Sequence, residues 1–129
     1  MARGKNDAKL PNERMVLILE RPGYLLMTKS PDQAHWTLQM TDVEAYVPLA
    51  QSANQFLETM VDGHVEHFQQ EAAATVGNQT YFFLRGAYEG TAKRNVGERE
   101  FREIPSAQVM KMMDSHDRYR VFLQRFGYK

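Results

Sequence analysis

His64, His67 and Glu71 stand at i, i+3 and i+7, with Glu66 beside them, a spacing that would put two imidazoles and a carboxylate on one side of a helix. Such donors suit zinc or iron. The pattern is not HExxH, and the C-terminal stretch adds only His116 as a further imidazole, so these histidines read as the rim of an apolar stripe and no metal is assigned. Nucleophilic chemistry finds less support still. The chain has no cysteine, no serine stands in a GxSxG context, and Ser115, His116 and Asp117 are neighbours that a helix would point in different directions. Gly86, Gly90 and Gly97 match neither a P-loop nor a dinucleotide fingerprint. No catalytic residue, metal or cofactor is assigned from these residues, and the expectation is a protein that is not an enzyme.

Contact with another macromolecule has more support. Arg3, Lys5, Lys9 and Arg14 near the start, Lys93, Arg94, Arg99 and Arg102 in a glycine-bearing stretch, and Lys111, Arg118, Arg120, Arg125 and Lys129 near the end are cations able to reach phosphates. Tyr88, Tyr119 and Tyr128 are available for stacking on bases. Against that, Glu98, Glu100, Glu103, Asp114 and Asp117 interleave with these cations, and the sequence pI is near 6.9, far below that of a dedicated nucleic-acid binder. From Ser30 to Leu84 there is no lysine or arginine but seven acids, so the flanks hold the other nine acids against all 16 bases. Such two-sidedness favours docking onto an oppositely charged surface, a partner's or a second copy's. Met110, Met112 and Met113 add adaptable apolar surface.

Elements must position these groups. Residues 1–14 are polar and broken by Gly4 and Pro11, which reads as a flexible basic arm ahead of a single domain over 15–129. Met15 to Leu19 and Tyr24 to Met27 are apolar runs around Arg21-Pro22-Gly23-Tyr24, the chemistry of a type II turn. Trp36 to Met40 alternates apolar with polar, like a strand with one solvated face. Thr41 to Glu44 matches a capping box, and apolar residues from Tyr46 to Phe68 follow helical spacing, predicting one long central helix interrupted at Pro48 and Gly63 and ending near Gly77. Thr80 to Leu84 and Arg99 to Ile104 read as strands that pair with each other, the residues near 86–98 as a mobile loop, and Pro105 onward as a last helix ending at Gly127.

The expected fold is therefore α+β, an antiparallel sheet of about five strands covered by the central and C-terminal helices, in the order βββαββα. The expected function is a non-enzymatic structural or protein-binding subunit that assembles with copies of itself or other subunits, as a phage assembly or virion component does. Met110, Met112, Met113, Glu58, Asp62 and Glu66 would form its interface. The alternative is a nucleic-acid-associated protein using Arg3, Lys5, Lys9, Lys93, Arg94, Arg118, Arg120 and Arg125. No apolar run approaches about 18 residues, and no signal peptide is evident, so the expected setting is soluble and cytoplasmic or in a virion, away from membranes.

Overall fold

A computed structural model describes residues 13–43, 46–65, 67–92 and 95–129. The apolar run Met15–Leu19 explains the architecture. Every one of its side chains is fully buried, because it lies in a strand, β1 (Glu13–Arg21), covered on both faces. Alternation sends Met15, Leu17 and Leu19 to one face, with Leu26, Leu84 and Phe101. Val16 and Ile18 go to the other, with Leu25, Met27 and Phe83. The turn at Pro22-Gly23 leads into β2 (Tyr24–Lys29), with Gly23 at φ 84°, as a type II turn requires.

Among the described residues the sheet has eight strands and is mixed. Beyond β1 and β2 these are β3 (Gln39–Asp42), β4 (Val61–Val65), β5 (Gln69–Val76), β6 (Gln79–Ala92), β7 (Asn95–Val96) and β8 (Arg99–Pro105). Its order is β4-β6-β1-β2-β8-β7, with β5 beside β6 and β3 beside β1. β1 runs parallel to β6, from Glu13 opposite Thr80 to Glu20 opposite Ala87, and antiparallel to β2 and β3. The expectation of a purely antiparallel, five-stranded sheet in the order βββαββα is thus corrected. The strands at 80–84 and 99–104 both exist, but β6 pairs with β1, β4 and β5, while β8 pairs with β2 and β7. The expected mobile loop is largely the second half of β6, which carries the buried Tyr88; Lys93 and Arg94 lie outside the described residues.

The long central helix is replaced by a short one and two strands. Thr41 and Asp42 end β3 instead of capping a helix, and α1 (Leu49–Leu57) starts only after Pro48, whose ψ of 141° is extended. Past α1 the backbone approaches β6 too closely for any side chain. A Cβ on Gly63 would stand 1.8 Å from the Glu89 carbonyl oxygen, and one on Gly90, at φ 115°, 2.1 Å from that of Asp62. Val61 and Val65, four apart, fit both a helical stripe and one face of a strand, which is why periodicity misleads here.

The C-terminal helix is also divided, into a 3-10 turn (Ser106–Gln108), α2 (Val109–Met112) and α3 (Arg120–Arg125). Asp114 accepts the His116 amide and Asp117 the Tyr119 amide, each at 2.8 Å, and these local turns compete with helix continuation. α1 covers one face of the sheet through Ala53 and Leu57, and α2 and α3 cover the other through Val109, Met110 and Leu123.

Candidate functional site

One polar side chain that the fold leaves partly unsatisfied, that of Gln39, lines a cleft. This cleft, of about 330 Å³, opens between Phe56 and Thr59, at the end of α1, and the sheet. Its floor and walls come from Thr28 of β2, Leu38, Gln39 and Met40 around β3, Arg99 and Phe101 of β8, and Tyr119. The Gln39 side chain is 2% exposed; its Nε2 donates to the Leu26 carbonyl at 2.9 Å, and its Oε1 is buried with no partner. The alternation Trp36 to Met40 suggests that Gln39 faces water. Instead Gln39 sits opposite Leu17 in the middle of the sheet, and Met40 is the exposed residue.

Arg99 is held by hydroxyls. Its Nε donates to Thr28 Oγ1 at 3.1 Å and its Nη1 to Ser30 Oγ at 2.9 Å, while the Thr28 hydroxyl donates in turn to the Glu100 carbonyl at 2.8 Å. A guanidinium has five N–H groups, so this grip orients the cation and leaves donors over. No carboxylate forms an ion pair with Arg99 among the described residues. Strand alternation carries the adjacent Glu100 away, to pair with Lys29 at 3.3 Å. At the rim, Tyr119 OH donates to Met40 Sδ at 3.3 Å, and burial pushes the Tyr119 hydroxyl up to about 12, so it stays a neutral donor.

Other charged clusters pair their cations with acids or a tyrosine hydroxyl, although Arg21 Nε and Nη2 are buried without a hydrogen-bond partner. Arg85 makes a two-pronged ion pair with Glu20 at 2.6 and 3.0 Å, an interaction that raises the guanidinium pKa, and Tyr128 OH donates to the same carboxylate. Arg21 Nε stands 3.3 Å from Glu103 as an ion pair without hydrogen-bond geometry, and its guanidinium lies 4.3 Å over the Tyr88 ring. Tyr88 OH donates to Glu103. A more open groove beside Arg14 and Arg118 has Arg14 matched by Asp42 at 3.1 Å and Arg118 donating to Tyr81 OH at 2.6 Å.

The residues singled out from sequence disperse. His64 is exposed on β4, His67 is exposed between β4 and β5, and Glu71 lies at a bulge in β5, so no helical face unites them. Among the described residues no three histidine or acidic side chains are grouped to hold a metal ion. Met110 and Met113 are buried in the chain's own core, with Met112 packed against it. Glu58 and Asp62 are exposed, and Glu66 lies outside the described residues. Arg120 donates to the Met110 carbonyl at 2.6 Å, and Arg125 lies 5.5 Å over the Phe122 ring. Arg3, Lys5, Lys9, Lys93 and Arg94 lie outside the described residues. Arg99 was legible as a phosphate-reaching cation. Gln39, Phe56 and Thr59 carried no signal, because only the fold brings them to Arg99.

No family model and no curated protein matches this sequence. Solved structures do match. The chain is similar to MutT from Aliivibrio salmonicida and Vibrio cholerae, with 14% identity, a TM-score of 0.71, and 88% of this chain and 95% of that one covered. It is similar to the MutT protein from Bacillus halodurans, with 11% identity, a TM-score of 0.73, and 90% and 80% covered. A third match is a Chromobacterium violaceum protein assigned to the Nudix hydrolase family, at 14% identity, a TM-score of 0.67, and 89% and 75% covered. At these identities the likeness shows the fold. It overturns the expectation of a non-enzymatic, phage-type assembly subunit, because the fold found is one that hydrolases use. No helix among the described residues is long and apolar enough to cross a membrane.

Proposed function

We propose that this protein is a hydrolase acting on a small, planar molecule that carries an anionic group, bound in the cleft between α1 and the sheet. The MutT-like fold supports the reaction class by analogy. The cleft supports the ligand class through one observation: Gln39, whose buried Oε1 lacks a donor, and Arg99, which has no counter-ion among the described residues, line the same cavity. Gln39 Oε1 accepts an N–H, Arg99 receives the anion, and the Phe56 and Phe101 rings flank an apolar body. In hydrolysis, a fixed guanidinium stabilises negative charge as it develops on the leaving group, because its dipoles and charge are oriented beforehand by Thr28 and Ser30.

Incubating the purified protein with a panel of aryl phosphates and nucleoside mono-, di- and triphosphates, with products followed by chromatography and phosphate release, tests this. Turnover of at least one compound is expected, with a loss of about tenfold or more in Arg99→Ala. An absence of turnover across the panel, with circular dichroism showing folded protein, would count against the hydrolase reading.

A further inference from the structure

The lining of the cleft bears on how an anion is held there. In many enzymes that act on phosphorylated substrates, a divalent cation bridges protein carboxylates and the substrate's anionic oxygens. That arrangement needs acidic ligands beside the substrate. Here the end of α1 presents the phenyl ring of Phe56 and the hydroxyl of Thr59, and among the described residues no aspartate, glutamate or histidine lines the cavity. The Thr59 hydroxyl is turned to its own helix, donating to the Phe56 carbonyl at 2.6 Å. A hard cation placed between these groups would find only the neutral side-chain oxygens of Thr28, Thr37, Gln39, Thr59 and Tyr119 and no carboxylate, a poor exchange for its hydration shell. The residues of this cleft do not fit a divalent metal.

Arg99 supplies a positive charge in the same cavity. Two of its donors are fixed by neutral hydroxyls, which orient the guanidinium without neutralising it, in contrast to Arg85, Arg21 and Arg14, each matched by a carboxylate. We infer that the cleft binds the anionic group of its ligand by direct contact with Arg99, without a bridging divalent cation, while Gln39 Oε1 takes an N–H donor from the ligand's planar part. This rests on the reading of the cleft as the ligand site. It adds that the charge is read by the protein itself, so binding is independent of magnesium and falls with salt.

Adenosine 5′-monophosphate is a suitable probe, since it combines a flat ring bearing an amino N–H with one phosphate; adenosine is the same probe without the anion. Titration calorimetry of the full chain would be run in EDTA and again in excess magnesium chloride. The expected result is binding of the monophosphate with the same Kd in both buffers, weaker binding of adenosine, and about a tenfold or greater loss for Arg99→Ala in both. Arg99→Lys keeps the charge but not the two-hydroxyl grip, and should fall between; its thermal melt, with that of Arg99→Ala, checks that the fold survives. Binding that appears only with magnesium would overturn the inference and leave the cleft reading standing. Binding equally strong in both arginine variants, or no binding of either probe in either buffer, would overturn both.

Discussion

Gln39 and Arg99 show what a single side chain reveals when its partner is missing. A buried amide oxygen without a donor costs about 1–3 kcal/mol, so its persistence in a packed strand has to be matched by some gain. Replacing Gln39 by Leu removes the orphaned oxygen but also the donor to the Leu26 carbonyl. The two effects oppose, so the expected change in stability is within about 1 kcal/mol, read by urea denaturation, while adenosine monophosphate affinity drops several-fold. The tyrosines give a second test. Burial, reinforced by Glu103 and Glu20 as acceptors, raises Tyr88 and Tyr128, and burial raises Tyr119 to about 12. The fold favours their neutral forms. Their contribution is complete below the unfolded value near 10 and is lost as pH climbs through the folded values. Absorbance at 295 nm should therefore show these three of the six tyrosines ionising together with unfolding, and ionisation of all six near pH 10 in a still-folded protein would contradict it. At this scale the sequence exposed Arg99 as a cation, but Glu98 and Glu100 beside it hid its lack of a partner, which only strand alternation settles.

For the elements, the lesson is how short-range signals compete. Pro22-Gly23, the apolar run of β1 and the strand cores of β6 and β8 were legible because turn chemistry and burial on two faces act locally. The segment from Thr41 to Val76 was not. Its alanines and glutamates favour a helix, yet Gln69–Val76 pairs along β6, and tertiary pairing outweighs a propensity difference of a few tenths of a kcal/mol per residue. In the sequence Gly63 reads as a helix interruption, whereas in the fold it marks backbone contact with Gly90. Gly63→Ala should accordingly cost at least about 2 kcal/mol, seen as a lowered denaturation midpoint, with more exchange of β4 amides. The opposite sign is expected at Ser52, buried on α1 with its hydroxyl lacking a partner. Ser52→Ala should raise stability by about 1 kcal/mol, since it removes an unsatisfied group and favours the helix.

Taken whole, the molecule distributes its charge differently from its chain. The segment-by-segment asymmetry is cancelled in part where Arg14 of the basic flank meets Asp42 of the acidic stretch at 3.1 Å, and Glu20 and Arg85 join β1 to β6 across the sheet. Composition showed enough apolar residues for one well-filled core; it could not show that the sheet divides that core into two clusters, because the division depends on which strands flank β1. That placement also governs timing. β1 finds its parallel partner only when residue 80 arrives, and the second edge of β2 is paired only by β8. A parallel pairing over such a separation closes a long loop before any contact rewards it, which slows folding. Until then Met15–Leu19 is an apolar, strand-forming pentapeptide with one open edge, a template for the same run in another chain. Recovery from denaturant should therefore fall as protein concentration rises, and the chain's most deeply buried strand is, during synthesis, its longest exposed liability.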